Sequence, residues 1–213
     1  MTLEDHIVFI VDDDQRVREA LCELLMSLGI RAIAFASAND YLAHPKPNLP
    51  TCLVLDIELP DISGLEVQKR LSKGQHPHIV FITGHGDIPS SVRAMKGGAV
   101  DFLTKPFSEQ ELVDAIHVAI ARDGAARRET TALADLRQRF HSLTPREREV
   151  LPLVVSGLLN KQAAAELGIS EITFQIHRSN VMRKMEAASL ADLVRFAEKL
   201  QIPVIHSRRA GIA

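Results

Sequence analysis

The residues best suited to chemistry stand at the ends of short apolar runs. Asp12-Asp13-Asp14 follows Ile7 to Val11, Asp56 follows Cys52 to Leu55, Thr83 closes the run from His78, and Lys105-Pro106 follows Asp101 to Thr104. If these runs are parallel strands, the polar residues share one crevice. Clustered carboxylates raise one another's pKa and cannot all ionise without a positive partner. A hard divalent cation held by oxygen ligands relieves this, and carboxylates with water favour Mg²⁺ over Zn²⁺. The His and Cys residues show no zinc-ligand spacing. A cation, a lysine and a hydroxyl beside one carboxylate can stabilise a phosphoryl group in transfer. Asp56, alone on the middle run, is the natural nucleophile and would form an aspartyl phosphate. Each residue alone has an ordinary explanation, since an Asp after a strand is commonly a helix cap and Lys-Pro a loop. The reading rests on their occurring in order at four strand ends.

The elements that must position them are legible in the hydrophobic pattern. Ile7 to Val11 is a continuous apolar run, as in a strand covered on both faces. Val17, Ala20, Leu21, Leu24, Leu25 and Leu28 then repeat at three and four, a helical stripe stopped by Gly29. Further strands are predicted over 31–35, 52–55, 78–83 and 101–104, and helices over 37–42, 64–71 and 89–96. A loop carries the three prolines between Ala43 and Pro50. A fifth helix opens at Ser108, with Glu111 completing a capping box. Five βα units in a row predict an open parallel sheet with helices on both faces, whose function collects at the carboxyl ends of the strands.

From Ser108 to Phe140 there is no proline and one glycine, Gly124. Leu112, Ile116, Ala119 and Ile120 form one helical stripe, and Leu133, Leu136 and Phe140 a later one. Two readings fit: one long connecting helix, or a helix ending at Gly124 followed by a polar linker. Residues 143–200 read as all-helical. Thr144-Pro145-Arg146-Glu147 is a capped helix start, and Pro152 within that helix predicts a kink. Asn160, Ser170 and Ser189 are candidate caps for three further helices, and the tail after Pro203 is expected to be loose.

Composition bounds the rest. The chain has 213 residues, 46% hydrophobic and 24% charged, which suits one large domain or two ordinary ones and excludes disordered and fibrous classes. No apolar stretch reaches the ~20 residues of a membrane helix. The start lacks a basic n-region, so no secretory signal and a cytoplasmic location are expected. Cys22 and Cys52, both in apolar segments, suit buried thiols in a reducing compartment. The net charge of −2 hides an asymmetry: through Arg122 there are 11 basic and 17 acidic side chains, and from Asp123 onward 14 and 10. An acidic front and a basic back suggest two modules with different partners, the second a candidate for a polyanion.

With these residues on the page, the front half resembles a response-regulator receiver domain. The match lies in Asp12-Asp13, Asp56 with Leu59-Pro60 and Gly64, Thr83-Gly84, and Asp101-Phe102-Leu103-Thr104-Lys105-Pro106. The resemblance implies a five-stranded parallel, flavodoxin-like sheet of order 2-1-3-4-5. It implies phosphorylation of Asp56 by a sensor histidine kinase. It also implies Mg²⁺ bound by Asp13, Asp56 and the backbone carbonyl of Glu58, with Asp12 acting through water. Thr83 and Lys105 would hold the phosphoryl group. Phe102 would swing inward as Thr83 moves and remodel the face made by the 89–96 helix, the 101–104 strand and the helix after Ser108. The Lys105-Pro106 bond is often cis in that family.

The back half offers helix, tight turn at Gly168, helix, which is a helix-turn-helix signal. The second helix, Ser170 to Met185, carries His177, Arg178, Arg183 and Lys184, with Thr173, Gln175, Ser179 and Asn180 able to bond phosphates and base edges. Its buried face is expected to be Ile172, Ile176 and Met182 or Met185. The run Leu143-Thr144-Pro145-Arg146-Glu147, then Gly157, Asn160-Lys161, Ala164, Leu167-Gly168-Ile169-Ser170, Thr173 and His177-Arg178, resembles the LuxR/FixJ-type (NarL-like) DNA-binding domain over residues 142 to 203. By that resemblance Gln175, Ile176 and Ser179 approach bases, and Thr173, Arg178, Arg183 and Lys184 face phosphates. Ile176 is expected to serve both core and DNA. Ala163, Phe174 and Pro152 depart from the commoner pattern.

The expected organisation is a receiver over 1–122, a linker helix over 123–141 and an all-α, four-helix DNA-binding domain over 142–213. The expected function is a two-component transcriptional regulator and not an enzyme. Phosphorylation would promote homodimerisation and binding to double-stranded promoter DNA, with activation the expected sense and RNA polymerase a further candidate partner. Two rivals stand beside it. A haloacid-dehalogenase-type phosphatase would use Asp12 as nucleophile and Asp14 as acid/base. A receiver could also carry a protein-interaction output module instead of a DNA-binding one.

Overall fold

A computed structural model describes residues 6–71 and 77–203. The readings of the amino terminus through Asp5 and of the tail after Pro203 lie outside these residues. The chain divides into two compact units, Met1–Arg128 and Glu129–Ala213.

In the first unit the order is β1 (Ile7–Val11), α1 (Gln15–Ser27), β2 (Ala32–Phe35), α2 (Ala38–Ala43), β3 (Thr51–Asp56), α3 (Gly64–Leu71), β4 (His78–Thr83), α4 (Ile88–Lys96), β5 (Asp101–Thr104) and the first part of α5 (Glu109–His141). The five strands are parallel, in the order β2-β1-β3-β4-β5. Every residue of β1 and β3 is buried, because helices cover both faces. One face packs Val8, Ile10, Val54 and Ile82 with Leu21 and Leu25 of α1 and Leu112 and Ile116 of α5. The other packs Phe9, Leu53, Leu55 and Phe81 with Tyr41, Val67 and Ala94. The alternation along each strand sends successive side chains to opposite layers.

Local sequence explains the helix starts. The Asp14 carboxylate accepts from Arg16 N at 2.8 Å and caps α1. Ser37 caps α2, and Asp61 reaches back to accept from Ala38 N and Asn39 N at the same helix start. Ser108 and Glu111 form the capping arrangement that opens α5.

The helix α5 runs without interruption from Glu109 to His141, so the reading in which it stops at Gly124 is overturned. Packing in the first unit extends past Arg122. Buried Asp123 accepts from Thr51 N at 2.9 Å and from Arg127 Nε at 2.5 Å, which anchors the helix to the start of β3.

In the second unit the end of α5 is followed by α6 (Pro145–Val155), α7 (Asn160–Glu166), α8 (Glu171–Lys184) and α9 (Leu190–Lys199). Its core joins Leu136 to Leu151, Val154, Ala163, Phe174, Val181, Met185 and Leu193. Burying each of its Val, Leu, Met and Phe side chains contributes roughly 1.5–3 kcal/mol. Thr144 and Glu147 form a reciprocal capping box, and α6 continues through Pro152. The turn between α7 and α8 places Gly168 at φ +63°, a left-handed conformation that a side chain would strain.

Two local expectations are corrected. Asn160 is the first residue of α7 and does not cap it: its Oδ1 accepts from Arg178 Nη1 at 2.8 Å, while Gln162 Oε1 accepts from Leu159 N. Ile172 and Ile176 do not face the core, being 72% and 56% exposed. Phe174, Val181 and Met185 take the buried positions, since spacings of seven and four put them on one helical face.

Candidate functional sites

The parallel register brings the carboxyl ends of β1, β3, β4 and β5 to one edge. Asp12 follows β1, Asp56 ends β3, and Asp56 pairs with Ile82, whose neighbour Thr83 ends β4. Lys105 follows β5, and its Nζ donates to Asp12 Oδ2 at 2.6 Å and to Asp56 Oδ2 at 2.7 Å. One ammonium group therefore holds two carboxylates together. Asp12 and Thr83 are fully buried and Asp56 nearly so, while Asp13 is exposed. Carboxylate oxygens of Asp12, Asp13 and Asp56 lie within 4.8 Å of one another, a donor set suited to a hard cation.

The remaining oxygens of the cluster are aimed by backbone. Asp12 Oδ1 accepts from Asp14 N at 2.9 Å, and Asp56 Oδ1 accepts from Glu58 N at 2.9 Å. Thr83 Oγ1 accepts from His85 N at 3.1 Å, which fixes the hydroxyl at the strand end. Burial raises the Asp12 carboxyl above the ordinary aspartate range even though Lys105 draws it down. Burial would depress Lys105, yet its hydrogen bonds to Asp12 and Asp56 hold it above the ordinary lysine value. Such a site is short of positive charge with its carboxylates ionised, and an added cation would meet that need.

Two glycines bring backbone into close contact with this edge. A Cβ on Gly64 would overlap the Asp56 carbonyl oxygen and press on the Phe81 ring. A Cβ on Gly86 would overlap the Thr104 methyl and sit 3.4 Å from the Phe102 ring. Phe102 is partly buried against the sheet core, with its ring beside the loop that follows Thr83. The Lys105–Pro106 peptide is cis.

Sequence reasoning missed two pairings at this edge and one anchor at the opposite end of β3. Arg18 Nη1 donates to the Asp12 carbonyl oxygen at 2.7 Å, one turn into α1. His85 Nδ1 lies 3.3 Å from Glu58 Oε2, across the mouth of the site. Asp123 anchors α5 beneath β3. Arg18 sits at helical spacing from the Asp triplet and carried a weak signal; the other two pairings are long-range and carried none.

In the second unit, Ile172, Ile176, Ser179 and Arg183 lie at spacings of four, three and four, one line along the exposed side of α8, with Gln175 on its flank. Thr173 is half-buried beside the Ser170 cap. The other two predicted phosphate contacts are engaged inside the domain. Arg178 bonds Asn160, and Lys184 Nζ donates to Glu147 Oε2 at 2.7 Å.

Comparison with known proteins covers both units. Residues 8–117 match the response regulator receiver domain family, and residues 141–197 match the bacterial regulatory proteins of the luxR family. Nodulation protein W of Bradyrhizobium diazoefficiens is 50% identical over 207 residues, spanning 97% of this chain and 91% of that protein. Response regulator protein TodT of Pseudomonas putida is 45% identical over 196 residues, spanning 92% of this chain and 86% of that protein. The solved structure of the response regulator StyR superimposes with a TM-score of 0.82 at 48% identity, covering 92% of this chain and 99% of that one.

Proposed function

The chain belongs to the response regulators of the LuxR/FixJ type, DNA-binding two-component regulators of transcription and not enzymes, and from that premise we propose that a phosphate on Asp56 controls its binding to promoter DNA. The LuxR-family match removes the protein-interaction rival. The phosphatase rival falls with the family, and the Asp14 carboxylate is occupied as a helix cap.

The observation that carries the proposal is the bridging of Asp56 and Asp12 by Lys105 at the carboxyl edge of the sheet. A carboxylate oxygen of Asp56 attacks the phosphorus of a phosphohistidine on a sensor kinase; the Oδ–P bond forms and the N–P bond breaks. Mg²⁺ would be held by Asp13, Asp56 and the Glu58 carbonyl, with Asp12 through water, and would neutralise charge on the phosphoryl oxygens. Lys105 meets another of those oxygens, and Thr83 donates its hydroxyl proton to a third. That donation draws the loop after Thr83, against which the Phe102 ring rests, and so carries the change toward α4 and β5.

The face that responds is apolar. Ile88, Val92 and Met95 are exposed on α4 at spacings of four and three, which supports dimerisation of the phosphorylated form through α4 and β5. A dimer presents two α8 helices to two half-sites, and tethering multiplies affinity. Gln175, Ile176 and Ser179 face base edges, with Thr173 and Arg183 toward phosphates. Arg178 and Lys184 keep spare N–H groups for phosphates beyond their internal bonds. Activation, contact with RNA polymerase and a cytoplasmic location complete the reading. No helix among the described residues is long and apolar enough to cross a membrane. The test is gel-shift titration of promoter fragments with and without a phosphoryl donor and Mg²⁺. Tighter binding with the donor, lost in Asp56→Asn, supports the reading, and equal binding rejects it.

A further inference from the structure

The exposed line of α8 contains two residues that the fold does not use. Ile172 is 72% exposed and Ile176 56% exposed, although the core beneath is already filled by Phe174, Val181 and Met185. Large apolar side chains held in water on a polar helix face cost solubility and return nothing to folding. They sit one turn apart near the start of α8, the end of a recognition helix whose residues reach base edges. No cation lies on this line before Arg183, and neither isoleucine side chain can bond a phosphate. What an aliphatic side chain can recognise in a major groove is the C5-methyl group of thymine.

We propose that Ile172 and Ile176 are specificity-determining residues that read two thymine methyl groups in each half-site. Residues four apart on a helix have Cβ atoms about 5–6 Å apart. Base pairs are stacked at about 3.4 Å. The two methyls therefore belong to base pairs one or two steps apart, on one wall of the groove. Ser179, next along the same line, and Gln175 on the flank supply hydrogen bonds to neighbouring base edges. The inference rests on the reading of this chain as a DNA-binding regulator and goes further by naming the base chemistry that its helix selects.

The test uses the full chain, phosphorylated with acetyl phosphate and Mg²⁺, and a library of randomised duplexes. After selection, each conserved thymine is replaced singly by deoxyuridine, which removes only the methyl. The expected result is two sensitive positions per half-site, one or two steps apart, each losing about fourfold in affinity, as one buried methyl group is worth. Ile176→Ala should bind thymine and uracil duplexes alike at one position, and Ile172→Ala at the other. Both sites are exposed and alanine favours helix, so thermal melting should be unchanged. Selected sites without thymine, uracil duplexes bound as tightly as thymine ones, or variants that weaken both duplexes equally would overturn the methyl assignment alone. Failure to enrich any sequence would overturn the DNA reading beneath it. Loss of partner-protein binding by these variants, with DNA discrimination intact, would reassign the isoleucines to a protein contact.

Discussion

Lys105 Nζ lies 2.7 Å from Asp56 Oδ2, so the side chain that follows β5 holds the Asp56 carboxylate at the end of β3. The same ammonium donates to buried Asp12. Removing it leaves two carboxylates facing each other with no fixed positive partner. Lys105→Ala should accept phosphate slowly, because one contact to the phosphoryl oxygens is lost. It should then fail to dimerise at concentrations where the wild type does. Intact-mass kinetics and sedimentation velocity measure the two effects. Normal dimerisation of the phosphorylated variant would remove Lys105 from the switch.

Gly64 is fixed by close approach. A methyl group there would overlap the Asp56 carbonyl oxygen and crowd the Phe81 ring. Gly64→Ala must displace the segment that leads from Asp56 into α3, at a cost of about 1–3 kcal/mol. Urea unfolding should show that loss, and the rate of phosphorylation should fall with it. Unchanged stability would show that the loop yields freely.

The Lys184–Glu147 pair joins the last turn of α8 to the first turn of α6. Burial opposes ionisation of Glu147, but hydrogen bonds from Lys184 and Thr144 outweigh it and hold the carboxyl below the ordinary glutamate value of 4.5. A group with a lowered folded pKa contributes stability above its unfolded value and loses it as pH falls through the folded one. Melting of the helical domain should therefore decline with acid below about 4.5, and Glu147→Gln should flatten that decline. Lys184→Ala should destabilise by about 1–3 kcal/mol, since it strands a buried carboxylate. Arg183→Ala should leave melting unchanged and reduce the salt slope of DNA binding by about one. A normal melt for Lys184→Ala would return that residue to the DNA surface alone.

Much of this molecule is legible in its residues, and the exceptions have physical causes. Strands β4 and β5 and helix α3 agree with the sequence reading residue for residue: β4 is rich in β-branched residues, and Gly64 and the Gly97-Gly98 and Lys105-Pro106 breaks bound the others. The Asp12, Asp56, Thr83 and Lys105 cluster was legible because a parallel sheet sends all its carboxyl ends to one edge. The burial of α8 was not. Its apolar residues fall on two opposite faces, Phe174, Val181 and Met185 on one and Ile172 and Ile176 on the other, and periodicity alone cannot say which is covered. Local sequence marks Asn160 as a cap, since nothing nearby shows that Arg178, eighteen residues on, competes for its side chain.

The apolar row on α4 gives a test of assembly. Val92, 44% exposed, lies midway between Ile88 and Met95. Val92→Asp should leave phosphorylation intact and weaken the phosphorylated dimer at least tenfold, as seen by sedimentation equilibrium. A dimer of unchanged strength would place the interface elsewhere.

The thiols differ in reach. Complete burial pushes Cys52 far above the ordinary thiol range, whereas half-buried Cys22 is raised less. A thiol reagent on the native protein should therefore label Cys22 first, and Cys52 only on unfolding. Equal labelling rates would contradict the packing of β3.

The most direct test of the central claim is mass spectrometry of the protein treated with acetyl phosphate and Mg²⁺, followed by DNA titration of the same sample. The account predicts one added phosphoryl group, located at Asp56 and absent from Asp56→Asn, with tighter promoter binding in proportion to the modified fraction. An unmodified Asp56, or a fully modified protein that binds DNA no better than before, would contradict it.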